Sequence, residues 1–271
     1  MLYFGQTRQA LKFASFVGRR FITARHDHAD DALIIKHELK SLNHGMNSMH
    51  GTWKRILMAS ITPLPSKIKI SILRHFLGFN IGRDAYIGLS FIVCRNLMLE
   101  SEAVIGHLSV VKGDMTLHMK ARSSIGQFNW ITGGNADPRY FESCDRHSQL
   151  ILGEESSITS RHIMDCTGGI TIGRFTTIAG YRSVFLTHGI NYRTSKQDCQ
   201  SIVIGDYCLV GSNVTVLMGA TIANRTIIGA GSAVIKSIDG ELGMWAGVPA
   251  HRVKDLTGEE GYFRREGGHI Y

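Results

Sequence analysis

The sequence predicts an all-β chain wound as a parallel β-helix behind an α-helical N-terminal region. Three observations predict it: a sustained six-residue aliphatic period, thirty glycines against four prolines in 271 residues, and a change of texture near residue 81. The period is clearest where Ile204, Val210, Val216, Ile222, Ile228 and Val234 follow one another without a slip. The next position is small in Gly205, Gly211, Ala223 and Gly229, and four places after each lead come Cys208, Val214, Ala220, Thr226, Ser232 and Ile238. Six is neither a helical nor an alternating-strand period. It suits a coil of three flat faces, each aliphatic residue pointing into a narrow prism, with stacked coils burying one continuous apolar column.

Weaker copies of the step run upstream at Ile81-Gly82, Ile87-Gly88, Ile105-Gly106, Ile125-Gly126, Leu152-Gly153, Ile172-Gly173 and Ile178-Ala179. Two polar, aperiodic stretches interrupt them, 133–149 and 188–201, and both read as loops protruding from the coil, where function often sits. Before residue 81 the pattern is helical. Leu11, Ala14, Val17 and Phe21 recur at helical spacing, and after Pro63 and Pro65 a helix is predicted with Ser66 as N-cap, an apolar set from Ile68 to Leu77, and Gly78 as its stop. The predicted organisation is therefore 1–80 helical, 81–255 coiled, and 256–271 a C-terminal extension of undetermined structure.

Composition narrows the class. At 44% hydrophobic and 19% charged, the chain reads as globular, with no apolar run long enough to span a bilayer and no secretion signal. Five cysteines without a CxxC pair argue against a disulfide framework or zinc knuckle and for a reducing cytoplasm. The net charge of +8 is uneven: residues 1–80 hold twelve Lys/Arg and four Asp/Glu, whereas 81–271 hold eighteen of each. That excess reads as a solvated helical surface, with peripheral association at the inner face of an anionic membrane as the sharper alternative. No recognition motif accompanies it, so nucleic acid is not expected as a partner. The run His26-Asp27-His28-Ala29-Asp30-Asp31 reads as a solvated loop rather than a metal site, and no metal is expected.

The hexapeptide steps, together with DCTGGITIG and TIAG (165–180), LTHG before a polar loop (186–201) and the closing AGVPAHRVK (246–254), resemble the bacterial hexapeptide-repeat acyltransferases. The match is nearest the sugar and polysaccharide O-acetyltransferases, whose entry helix ILRHFLGFNIG (72–82) also resembles. The resemblance covers roughly 81–255 and implies a left-handed parallel β-helix, an exception to the right-handed crossover rule. It also implies a homotrimer with intersubunit active sites, acetyl-CoA as co-substrate, and a carbohydrate acceptor. The histidine that takes the acceptor's proton in that family corresponds here to His188.

A sugar hydroxyl is barely ionised at neutral pH, and a neutral imidazole can take its proton as the C–O bond forms, an assistance of about 10²–10⁴-fold. Direct attack on a thioester needs no cysteine nucleophile, so Cys166 and Cys208 read as small core residues. The oxyanion is expected to meet a backbone N–H at Gly211 or Ser212. Similarity places CoA contacts at Ser212, Ala230, Lys236, His251, Arg252 and Lys254; Asp165 is expected in the acceptor pocket, orienting His188 or holding a structural corner. His162, Tyr181 and Tyr192 are further pocket candidates. Rival readings are a γ-type carbonic anhydrase, which needs a histidine pair absent here; a serine acetyltransferase; and a non-catalytic scaffold, which leaves the His188 loop and the tail unexplained.

Overall fold

Three short strands and three corners make one turn, and the turns stack in register. A computed structural model describes residues 51–134, 138–141, 144, 146–268 and 270. The helical pattern around Leu11 to Phe21 and the His26–Asp31 run lie outside the described residues. The first face of the prism runs from Tyr86–Ile87 through Ser157–Ser160, Thr177–Tyr181, Leu209–Val210 and Thr226–Ile228 to Gly243–Ala246. The second carries Trp130–Thr132, Ile163–Asp165, Val184–Leu186, Thr215–Leu217 and Ala233–Val234; the third carries Gln149–Leu152, Ile170–Ile172, Ile202–Ile204 and Thr221–Ile222. The longer strands Phe91–Leu99 and Val110–Met119 bend around the corner between the second and third faces, with a register shift at Cys94/Asn96. Every pairing between successive coils is parallel, and the coils form a left-handed parallel β-helix.

The six-residue leads do what their period requires. Ile204, Val210, Val216, Ile222, Ile228 and Val234 are all buried, as are Cys208, Val214, Ala220, Thr226, Ser232 and Ile238 four places on. Rungs without the aliphatic-glycine signature, such as Ile131, Met164, Phe185 and Ile202, fill the same column. The small residue after each lead has a specific cause. A Cβ on Gly173 would come within 2.5 Å of the Gly205 carbonyl carbon in the next coil, and one on Gly205 within 2.7 Å of the Asn224 nitrogen. Stacked corners leave no room there for a side chain. Phe185 is fully enclosed, and we expect Phe185→Ala to lower unfolding free energy by about 3–5 kcal/mol, read as an earlier chemical denaturation midpoint.

Two helices cover the first coil. In α1 (Gly51–Ile61) Met58 and Ile61 are buried, and in α2 (Ser66–Leu77) Ile70 and Leu73 are, packing against the Phe91–Leu99 and Tyr86–Ile87 strands. They close an end that would otherwise present apolar interior and unpaired strand edges. Ser66 is not the N-cap. Pro65 holds that position without a side-chain bond, and the Ser66 hydroxyl instead accepts the Ile87 N–H at 2.9 Å, tying helix to coil. Gly78 does end the helix, in left-handed conformation at φ 64°. Among the described residues no helix is long and apolar enough to cross a membrane.

The second interruption is more ordered than a loop. The 188–201 stretch is an antiparallel hairpin, His188–Asn191 against Lys196–Cys199, because its chain doubles back at 192–195 and satisfies its own backbone groups. Within 133–149 lies a 3₁₀ turn at Pro138–Phe141, and Gln149 already belongs to the next strand. The C-terminal extension returns along the corner between the third and first faces. Its short helix α3 (Gly261–Arg264) buries Phe263, the Tyr262 hydroxyl donates to Cys208 O at 2.7 Å, and Arg265 lies over the Tyr262 ring and donates to Phe175 O.

Candidate functional site

Both insertions leave the coil at one edge, between the second and third faces, and the corner 166–169 lies between them. Asp165 ends its second-face strand there and is the register partner of Leu186 in the next coil. That pairing carries Thr187 and His188 past the Asp165 carboxylate. Its Oδ2 accepts from Thr187 N (2.9 Å) and His188 N (3.0 Å), while Oδ1 accepts from Thr167 N (3.2 Å) and the Thr167 hydroxyl (2.6 Å); the Thr187 hydroxyl donates to the Asp165 carbonyl oxygen at 2.7 Å. His188 Nδ1 then lies 2.6 Å from Oδ2. An ionised carboxylate only accepts, so Nδ1 carries the proton and the Nε2 lone pair is left for another group. The carboxylate is buried, with 8% of its side chain exposed, whereas 40% of the His188 side chain is exposed. A fixed anion thus stands behind an imidazole that faces solvent.

The two glycines of DCTGG make this edge possible. A Cβ on Gly168 would sit 2.7 Å from Gln200 O, and Gly169, at φ +96°, has His147 O 2.5 Å from the same point. One glycine admits each insertion to the middle corner. Phe141, from the 3₁₀ turn, meets the His188 ring edge-on with centroids 6.1 Å apart, and Arg146 lies over the Phe141 ring at 5.1 Å.

The residues singled out in the sequence fall on different parts of the prism. Asp165 and His188 come together. Lys236 is exposed on the same edge, two coils further along. Tyr192 is exposed in the hairpin turn. Tyr181, Ser212 and Ala230 lie on the edge between the first and second faces, one strand width away, roughly 10–15 Å at ~3.3 Å per residue. His251, Arg252 and Lys254 are exposed on the strand His251–Asp255 that closes the first face.

The roles of Gly211 and His162 need correction. Gly211 N donates to Ile228 O at 2.8 Å, so its proton is spent in the coil and Gly211 is no oxyanion donor. Arg252 keeps 37% of its side chain exposed while it bonds Asp255 at 2.7 Å and the carbonyls of Glu241 and Leu242, which braces the tail. His162 is not a pocket residue. It is 0% exposed, its Nδ1 accepts the Ser183 N–H at 3.1 Å, and its Nε2 faces the Thr159 hydroxyl at 3.0 Å. Burial pulls its pKa down to about 4. The native state therefore excludes a proton that the unfolded chain binds below its ordinary ~6.5, so stability falls as pH drops from about 6.5 to about 4. We expect His162→Gln to flatten the stability–pH curve in that window relative to the unmodified chain, measured by urea unfolding at several pH values.

Sequence reasoning did not find Thr167, Thr187 or Phe141. The two threonines are buried and bind the carboxylate that aims the imidazole. Their signal was the stacking of DCT beside LTH, visible only once coil register is known. Among the described residues no three His, Cys, Asp or Glu side chains cluster as a metal site.

No family model matches the chain, and none of the curated proteins does. Among solved structures, a hexapeptide-repeat containing acetyltransferase of Vibrio cholerae is 18% identical, covering 81% of this chain and 93% of its own, with a TM-score of 0.41. An N-acyltransferase from Bacillus cereus, solved with dTDP-4-amino-4,6-dideoxyglucose and coenzyme A, is 13% identical over 71% of this chain and 89% of its own, TM-score 0.46. A polySia specific acetyltransferase is 20% identical over 65% and 85%, TM-score 0.36. Likeness at this level bears on neither the reaction nor the acceptor, which rest on the site's own groups.

Proposed function

We propose that the chain is an acetyl-CoA-dependent O-acetyltransferase acting on a sugar hydroxyl, with 81–255 as the transferase domain and His188 as general base. The observation that carries it is the 2.6 Å contact between His188 Nδ1 and the buried Asp165 carboxylate, which leaves an outward lone pair on Nε2. Nε2 takes the hydroxyl proton as the oxygen attacks the thioester carbonyl. The imidazolium so formed is stabilised by Asp165, and the proton then passes to the departing thiolate. No acyl-cysteine is required. Burial drives the Cys166 thiol far up and the Cys208 thiol to about 12, so neither offers a thiolate.

The site is completed between copies of the chain. Tyr181, Ser212 and Ala230 flank one side of the second face and His188 the other, so copies packed through that face would bring unlike edges together. Its outward ladder suits burial: Trp130, Ile163 and Val184 are register neighbours, and the first two are 45% and 46% exposed. A homotrimer placing the Ser212 N–H of one chain opposite His188 of the next supplies the oxyanion contact, with Lys236, His251 and Lys254 towards the nucleotide end of CoA. The basic residues of 1–80 favour an anionic surface where a lipid-linked sugar would be met.

Release of free CoA from acetyl-CoA in the presence of sugar acceptors, with serine as the control acceptor, tests the reading. Sugar-dependent release is expected. Serine-dependent release would assign another acceptor, and absence of acetyl-CoA binding at millimolar donor would leave a scaffold. Ile163→Glu is expected to give monomers by sedimentation and to abolish release, since half of each site would be lost.

A further inference from the structure

Each of the two insertions carries a cysteine that acetyl transfer does not use. Cys144 belongs to the first, three residues after Phe141; Cys199 ends the hairpin and is the Cα partner of His188 across it. The two Sγ atoms lie 2.8 Å apart, and both cysteines are free thiols. A disulfide at ~2.05 Å is therefore less than an ångström of movement away. The other cysteines turn inward instead: Cys94 Sγ lies 3.3 Å from Asn96 O, Cys166 Sγ 3.8 Å from Met164 O and Cys208 Sγ 3.1 Å from Ala223 O. The pair thus bridges the two walls on either side of the imidazole, one wall through Phe141 and the other through the hairpin register.

We infer that Cys144 and Cys199 form a reversible dithiol–disulfide site that responds to a peroxide and, once closed, ties both insertions together beside His188. Cys199 is 3% exposed, and burial together with the adjacent Cys144 pushes its thiol up; enclosed in this way it is out of a peroxide's reach and resolves rather than attacks. Cys144, more exposed, attacks as thiolate: an S–O bond forms, the peroxide O–O bond breaks, and a sulfenic acid and one water or alcohol result. The Cys199 sulfur then displaces the sulfenic oxygen, which leaves as water with the Cys199 proton. Two thiols are oxidised and one peroxide is reduced. A dithiol reductant reverses the step by exchange.

A covalent tie removes the independent opening of the two walls and so obstructs acceptor entry. That consequence rests on the acetyl-transfer reading; the cross-link does not. The test treats the full-length protein with hydrogen peroxide, alkylates it and maps its peptides without reduction. A Cys144–Cys199 peptide, a loss of two hydrogens in intact mass and reversal by dithiothreitol are expected, and Cys199→Ser should leave a sulfenic acid on Cys144 that dimedone traps. Two thiols still fully alkylatable after peroxide, or Cys144 linked elsewhere, would overturn the inference. Hydrogen exchange of the 188–199 amides should slow in the oxidised form, and unchanged exchange would remove the tie between insertions. Oxidation should lower acetyl transfer by about tenfold or more in the unmodified chain but not in Cys199→Ser. A cross-linked protein with undiminished transfer would refute obstruction, whereas a reduced protein with no transfer to any sugar would refute the acetyl-transfer reading and leave the cross-link standing.

Discussion

His188→Ala is expected to lower turnover by about 10²-fold or more while leaving acetyl-CoA affinity nearly unchanged. The imidazole is 40% exposed at an edge and makes its polar contact through Nδ1 to Asp165. Its removal therefore costs little packing and leaves the coil intact. On the proposed reading, what goes is the base that receives a hydroxyl proton as the C–O bond forms. The same reading spreads donor binding along other edges and the tail, so the loss should fall on kcat rather than on the donor's KM. His188→Gln keeps a donor towards Asp165 but cannot accept and release a proton in the same way, and should be as slow as the alanine variant. Full activity in either variant would remove His188 from the mechanism. Isothermal titration with CoA beside initial rates of thiol release separates the two effects.

How much of this was legible in the sequence depended on which part of the coil repeated. Rungs from Ile204 to Val234 advance by sixes with no insertion, so burial at each lead could be stated from the spacing alone. Met164 and Phe185 were not legible as rungs. Their coils carry extra corner residues that shift the count, and Phe185 breaks the aliphatic pattern. Similarly, His188 and Asp165 could each be singled out through the segments they stand in. The Asp165–Leu186 register that joins them is a property of stacking, not of local sequence. His162 misled because a polar ring at a corner resembles a pocket residue; only its enclosure, with the Ser183 N–H on one nitrogen and the Thr159 hydroxyl on the other, identifies a corner filler. The 188–201 stretch concealed its hairpin for another reason. A hairpin that buries little apolar surface lacks the alternation by which strands are recognised.

Asp165→Asn is the more searching substitution, because it changes one atom's chemistry and preserves shape. The carboxylate accepts four hydrogen bonds besides the one from His188 Nδ1, from the Thr167 N–H and hydroxyl and from the Thr187 and His188 backbone. An amide offers one oxygen where there were two. If that oxygen keeps the Oδ2 position, its NH₂ points at donors on Thr167; if it turns, the NH₂ faces His188 Nδ1. The second arrangement forces the imidazole into the other tautomer, with a proton on Nε2 where a lone pair is needed, and such an exchange behind a catalytic histidine has cost about 10⁴-fold in turnover in a serine protease. The first leaves buried donors unpaired, at about 1–3 kcal/mol for each. We therefore expect Asp165→Asn to fold with a lower denaturation midpoint and to lose between about 10² and 10⁴ in kcat. Because the base itself is still present, the loss should come with an altered pH–rate profile, which His188→Ala cannot show. The double variant should be scarcely slower than His188→Ala, since a carboxylate acting through the imidazole has nothing left to orient. An Asp165→Asn protein that transfers at the normal rate would leave the carboxylate with a structural role only; an additive loss in the double variant would mean that Asp165 acts on the substrate directly and not through His188.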